Sequence, residues 1–299
     1  MRPTILLVDN GSSRASATRD LRRLASALTE RVGVTVHPVS LLHADRTPAA
    51  ELDGVPADTF APFLARRLAG GDRDFFVIPL FFGQSRALTH YIPECVKDAE
   101  NEHGAFRLRA APTLCPLPDG EPRLLRILLD NIERAARETG CPPKRVLLVD
   151  HGSPIPEVNA VRRWLAAGLR RALGPGARVD EAVMERRPGP AYDFNGERLD
   201  EALARLACED RSAPIFLSLL FLSAGRHAGP GGDIDGMRRT AERTQSGLRI
   251  VTTELVGQHP LLIDLLADRI RVDAEFSSAP EPNQDSVKTG STSPPAVCR

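Results

Sequence analysis

The sequence is poor in three things that would narrow its class at once: paired cysteines, long apolar runs and net charge. Its five cysteines, Cys95, Cys115, Cys141, Cys208 and Cys298, are scattered, odd in number and never spaced as CxxC. That argues against a disulfide framework, a cluster or a structural zinc, and leaves ordinary reduced thiols. The opening apolar run Ile5-Leu6-Leu7-Val8 is far shorter than a signal-peptide core, and no stretch approaches bilayer length. A soluble, cytoplasmic protein is expected. Lys plus Arg number 39 and Asp plus Glu number 39, so no global field recruits nucleic acid or an anionic membrane, and a polyanionic ligand must be held by local clusters. Phosphate-loop patterns are missing too. The glycine-rich segment Gly225-Arg226-His227-Ala228-Gly229-Pro230-Gly231-Gly232-Asp233 fits neither GxxxxGK[ST] nor a GxGxxG that opens a helix. Its glycines read as backbone freedom in a loop that folds over a ligand, with Asp233 capping a helix from Ile234. The single tryptophan, Trp164, sits in an amphipathic helix and is assigned to the core.

What is present is alternation. With 299 residues and 42% hydrophobic content the chain can build two cores. Strands are expected at Thr4 to Val8, Val34 to Val39, Phe75 to Phe82 and Arg107 to Ala111. Between them lie helices: one with Ala17, Leu21, Leu24 and Leu28 on its apolar face, then Phe60 to Leu68, Tyr91 to Glu100 and, last, Leu124 to Arg137. Strands alternating with helices argue for parallel βαβ units. After the linker Thr139-Gly140-Cys141-Pro142-Pro143 the pattern restarts. Arg145-Val146-Leu147-Leu148-Val149-Asp150-His151-Gly152-Ser153 repeats Thr4-Ile5-Leu6-Leu7-Val8-Asp9-Asn10-Gly11-Ser12, and Leu220 to His227 repeats Leu80 to Ala87. Two motifs recurring in order at one period mark an internal duplication. The expected fold is therefore α/β, with two flavodoxin-like, doubly wound parallel-sheet lobes. The first lobe is assigned to residues 1–139 and the second to 140–273. Residues 274–299, rich in Ser, Pro, Glu and Thr, are assigned to a disordered tail.

The duplication makes one sequence into a comparison. Asn10 stands where His151 stands, and Ala87 stands where His227 stands. If these imidazoles only closed the sheet or packed the loops, the first lobe would need something similar. Matching Val179 with Val36 sets Leu42 opposite Glu185 as a third difference. His151, Glu185 and His227 thus fall at the ends of three successive strands, where open α/β sheets place their ligands. Imidazole, carboxylate and imidazole suit a divalent first-row metal and leave coordination positions open. Glu185 also lies in the charged run Glu185-Arg186-Arg187 and is equally compatible with a solvated surface carboxylate. His90, His103 and His259 lack a partner at a matching site, His37 and His43 lie around the end of a first-half strand, and all five are read as structural or solvated.

At these residues the sequence resembles the class II chelatases of cobalamin and sirohaem synthesis, the CbiX/SirB type of sirohydrochlorin chelatase. The resemblance rests on the strand-Asp-His-Gly-Ser opening, the Phe221-Leu222-Ser223-Ala224-Gly225-Arg226-His227 segment followed by Asp233-Ile234, and the repeated half. It spans about residues 3 to 272. It implies that His151 and His227 bind the incoming metal and take part in its insertion into a tetrapyrrole, and that Glu185 falls near a family carboxylate. The chain departs from the family's long form by lacking both histidines in its first half. The implied activity is a lyase that inserts Co²⁺, Fe²⁺ or Ni²⁺ as substrate, with no permanently bound cofactor. Neutral imidazoles can serve there as ligand and base near pH 7. A polycarboxylate macrocycle needs cations, for which Arg226, Arg186, Arg187 and, from the facing lobe, Arg86 are candidates, with Ser153 a further substrate contact. Each arginine fits a plain surface charge equally well. No nucleic-acid or membrane partner is expected, and the chain reads as a monomeric pseudo-dimer or a homo-oligomer. The rivals are a non-catalytic metal or tetrapyrrole carrier, and a hydrolase using His151 with Ser153, which lacks an acidic partner at a known triad spacing.

Overall fold

The computed structural model describes residues 3–278. Eight strands form two four-stranded parallel sheets. The first contains β1 (Thr4–Asp9), β2 (Val36–Ser40), β3 (Asp74–Pro79) and β4 (Arg107–Ala110), in the order β2-β1-β3-β4. The second contains β5 (Arg145–Asp150), β6 (Arg178–Val183), β7 (Ile215–Leu219) and β8 (Ile250–Thr252), in the order β6-β5-β7-β8. These apolar runs form strands because both faces are covered: Leu6, Leu7, Val8, Leu147, Leu148 and Val149 are all wholly buried. In each sheet the first strand lies between the second and third, so the crossovers diverge around its C-terminal end. That switch point is where doubly wound folds open a crevice.

The duplication is visible element by element. The helix α1 (Ala15–Val32) and its counterpart α5 (Pro156–Leu173) follow β1 and β5 at identical spacing, and α2 (Phe60–Ala69) and α6 (Leu199–Glu209) follow β2 and β6 across connections of different length. Next come α3 (Ile92–His103) and α7 (Asp233–Thr244), and finally α4 (Pro122–Thr139) and α8 (Pro260–Ser278). The doubly wound pair of lobes is as the sequence implies.

Several boundaries differ by a few residues, and three bear on the loops or the tail. β3 stops at Pro79 rather than Phe82, because beyond it the Phe81 and Phe82 carbonyls accept the N–H groups of Leu114 and Cys115, outside the regular ladder. The helix expected from Tyr91 is preceded by a π-turn over Ala87–Tyr91. α8 runs to Ser278, past Ala274 where the tail was expected to begin, so that residues 274–278 are helical. The rest of the expected tail, 279–299 with Cys298, lies outside the described residues. None of the described helices is long and apolar enough to cross a membrane.

The terminal helices are exchanged between the lobes. α4 packs against α5 and β7 of the second lobe, and α8 packs against α1 and β3 of the first. One continuous core therefore runs between the sheets, joining Leu7, Leu28 and Phe76 to Leu128, Leu148, Leu165, Phe216 and Leu265. Two further cores lie on the outer faces, under α2 and α3 and under α6 and α7. Trp164 packs against the central core. Polar contacts close the same seam. Arg31 binds Asp264 through Nε and Nη2 at 2.9 and 2.8 Å, Arg123 binds Asp268 at 2.5 Å, and Arg23 donates to the Gly257 carbonyl at 2.9 Å. A shared core of this kind fixes the two switch points face to face.

Candidate metal centre

The loop after β5 is shaped by one glycine. Gly152 has φ +87°, and a Cβ there would lie 2.0 Å from the Glu185 carbonyl oxygen. Only glycine lets the loop lie against the exit of β6, where the Glu185 N–H donates to the His151 carbonyl at 3.0 Å. The first lobe repeats the device: Gly11 has φ +84°, its Cβ would sit 1.8 Å from the Leu42 carbonyl, and the Leu42 N–H donates to the Asn10 carbonyl at 3.2 Å. Leu42 is therefore the structural counterpart of Glu185.

His151 and His227 meet edge to face, with ring centroids 4.8 Å apart and planes at 77°. With Glu185 they form a cluster whose ligand atoms all lie within 4.8 Å of one another. Ligand atoms about 2.1 Å from a common ion are about 3–4 Å apart, so closure by about 1 Å brings all three into one coordination sphere. Three protein ligands leave the remaining positions to water or substrate.

Asp233 supplies what the sequence reading missed. It is the first residue of α7, capped by Gly232 with no side-chain cap hydrogen bond. Its carboxylate instead sits 2.8 Å from His227 Nδ1 and 3.4 Å from Arg226 Nε. Because a carboxylate can only accept, Nδ1 carries the proton and Nε2 is left for an ion, the usual device for orienting a metal-binding imidazole. The signal was the spacing of six residues across a glycine-rich turn, which a cap assignment also satisfied. Asp233→Asn is expected to weaken Co²⁺ binding about 10- to 100-fold while leaving thermal unfolding unchanged, as read by calorimetric titration and differential scanning.

Both histidines face a cleft of about 630 Å³ lined from both lobes: Asp9, Asn10, Ser12, His43 and Arg46 on one side, and His151, Leu222, Arg226 and His227 on the other. Glu185 is outside that lining and faces a second cavity, of about 650 Å³, between α6 and α7. Of the arginines named from sequence, Arg226 lines the cleft. Arg86 caps the π-turn beside it. Arg186 donates to the Gly196 carbonyl at 3.0 Å and Arg187 lies over the Tyr192 ring at 5.8 Å. The Ser153 hydroxyl accepts the Ile155 N–H at 3.0 Å, holding the turn into α5. His259 is buried, 3.4 Å from Asp130.

The CbiX family model matches the sequence twice, over residues 4–135 and 145–272. The chain belongs to the CbiX family.

Solved structures share the fold of this CbiX chain over about nine tenths of its length. SirB from Bacillus subtilis with Fe³⁺ is similar at TM-score 0.66 and 16% identity, over 93% of this chain and 97% of that one. The sirohydrochlorin chelatase SirB from Bacillus subtilis subspecies spizizenii in complex with cobalt follows at 0.65 and 16%, over 92% and 96%. CbiX, described as the terminal enzyme for siroheme biosynthesis in denitrifying bacteria, is similar at 0.59 and 21%, over 90% and 98%. No curated protein matches.

The two lobes of this CbiX protein treat one buried aspartate differently. Asp150, at the end of β5, accepts from Arg162 Nη1 at 2.6 Å and from the Gly152 N–H at 3.0 Å. Burial pushes its pKa up and the arginine pulls it back. In the lobe of Asp9, its counterpart, Leu21 stands at the position of Arg162. The Asp9 Oδ1 is sealed without a hydrogen-bond partner among the described residues. Burial pushes its pKa up from 3.8 to about 6, against hydrogen bonds from Ser40 and the Gly11 backbone. A carboxyl whose folded pKa is raised contributes stability below its unfolded pKa and loses it as pH rises through the folded one. Asp9→Asn is therefore expected to be more stable than the parent at pH 8 by about 1–3 kcal/mol, with no advantage at pH 4. Urea unfolding at the two pH values measures it.

Proposed function

We propose that the protein is a metallochelatase that inserts a divalent metal, Co²⁺, Fe²⁺ or Ni²⁺, into sirohydrochlorin or a related polycarboxylate tetrapyrrole. The single observation that carries this reading is the convergence of His151, Glu185 and His227, with both imidazoles lining the inter-lobe cleft. Family membership and the metal-bound SirB structures support it. Insertion exchanges one M²⁺ for two pyrrole N–H protons. The donor set suits that exchange: two imidazoles and one carboxylate hold a first-row ion without the thiolates that would hinder its release. A ring nitrogen freed as the ion moves to the macrocycle can accept a departing proton.

The first lobe serves as the opposite wall of the cleft, and the single chain works as a pseudo-dimer. Arg226, which lines the cleft, is assigned to the substrate carboxylates, and Arg86, Arg186 and Arg187, outside that lining, are assigned to those that project beyond it. The Ser153 hydroxyl, already accepting from Ile155, keeps its proton to donate to one of them. The competing hydrolase reading loses ground on the same hydrogen bond, because Ser153 is engaged with the backbone and, among the described residues, no base is paired to it.

Absorbance-monitored insertion of each metal into sirohydrochlorin is the test. A rate well above the spontaneous one is expected. Metal binding without acceleration would instead identify a carrier.

A further inference from the structure

The three proposed ligands do not face one cavity. His151 and His227 line the inter-lobe cleft and Glu185 does not. Glu185 lines the groove between α6 and α7, together with Asp233, the partner of His227. The metal site therefore sits where two separate cavities meet. A flat macrocycle bound in the cleft covers the histidine side and leaves the carboxylate side open.

The groove is built unlike the cleft. Its lining carries three carboxylates, Glu185, Asp200 and Asp233, and, among the described residues, no lysine or arginine. The cations that pair with Asp233 and Asp200 are Arg226, which lines the cleft, and Arg198, 2.7 Å from Asp200 and outside the groove lining. Small residues, Ala204, Gly231, Gly232 and Gly236, keep the walls apart, and Asp200, Ala204, Gly236 and Thr240 open it to solvent. The facing charges sort the two substrates. Carboxylates raise the local concentration of a hydrated divalent cation and repel a polycarboxylate macrocycle. The cleft lining sets Arg46 and Arg226 against Asp9, whose Oδ1 is sealed from solvent, and Asp150, which is paired with Arg162, so it lacks that acidic excess.

We propose that the groove between α6 and α7 is the loading route for the hydrated metal ion, which reaches His151, Glu185 and His227 past Asp200 and Asp233 while the tetrapyrrole occupies the cleft. The inference rests on the chelatase reading above. It predicts random order of addition: the ion binds the tetrapyrrole-loaded protein as readily as the free one.

Two plugs test it from opposite walls. A Cβ at Gly236 meets no atom within 4 Å and the residue has ordinary helical φ, so Gly236→Trp fits α7 without strain and projects into the groove. Ala204→Trp does the same from α6. Each plug is expected to raise the KM for Co²⁺ about tenfold or more, with the KM for sirohydrochlorin and the thermal unfolding temperature unchanged. Stopped-flow Co²⁺ binding to the sirohydrochlorin-loaded parent should keep the rate seen with free protein, and should slow in both plugs. Co²⁺ binding that sirohydrochlorin blocks in the parent, or plugs that leave the Co²⁺ KM unchanged, would overturn the route while leaving the chelatase reading intact. A parent with no insertion activity would sink that reading first, and Co²⁺ binding alone would then still report on the groove.

Discussion

Replacing either His151 or His227 with alanine is expected to lower metal insertion by about 10²–10⁴-fold, whereas Asn10→Ala, at the matching place in the first lobe, changes it little. The asymmetry follows from the ligand geometry. Removing one imidazole from a set whose ligand atoms lie within 4.8 Å of one another leaves Glu185 and a single ring, too few to hold a hydrated ion in register with a macrocycle. Asn10 shares the backbone arrangement, its carbonyl accepting the Leu42 N–H as that of His151 accepts the Glu185 N–H. Leu42 and Ala87 stand in the first lobe where the second has Glu185 and His227. Steady-state insertion assays on the three variants, with Co²⁺ titrations alongside, decide the matter. Equal losses in all three would remove the case for a site confined to one lobe.

Arg162→Leu is expected to destabilise the protein by about 3–5 kcal/mol, because it strands a buried carboxylate, and to lower its unfolding temperature by about 10 °C. Arg162 is 2% exposed and makes three bonds: to Asp150 at 2.6 Å, to the Asn195 carbonyl at 2.7 Å and to Glu181 at 3.4 Å. The damage should reach the site. Asp150 holds the Gly152 N–H, and the Asn195 side chain grips both the N–H and the carbonyl of Ser153, at 3.0 and 2.9 Å. His151 sits on that loop. Co²⁺ affinity is expected to fall about tenfold with the stability. The double variant Arg162→Leu, Asp150→Asn should recover much of the loss, since it removes the stranded charge and copies the apolar Leu21 of the first lobe. Chemical unfolding of the parent, the single and the double variant measures the coupling. A single variant as stable as the parent would show that the buried pair contributes nothing.

These two expectations differ in how far the sequence alone foresaw them. The histidine pair was legible because the duplication placed Asn10 and Ala87 beside it as internal controls, and because a residue just past an apolar strand must emerge at one sheet edge. Glu185 was legible through the register of Val179 with Val36, and the matched hydrogen bonds of Leu42 and Glu185 show why that register works. The Arg162–Asp150 pair was not legible. On a helical pattern Arg162 reads as one more polar position, and its burial depends on Asn195 and Glu181, 33 and 19 residues away. Asp233 was seen as a cap because caps are local, whereas its bond to His227 needs a folded turn.

The sequence by itself determined the strands, their parallel arrangement within each lobe, the doubling and the edge at which the imidazoles emerge. All of these follow from periodicity and from the chirality of βαβ crossovers, which act over tens of residues. Tertiary structure alone decided that α4 and α8 change lobes, that Asp150 is paired with an arginine and Asp9 is not, and that the three proposed ligands stand between two cavities. Those outcomes depend on which buried surface each helix finds and on which groups then share a region sealed from water. No local pattern encodes either, because both arise only when the two sheets close on a common core.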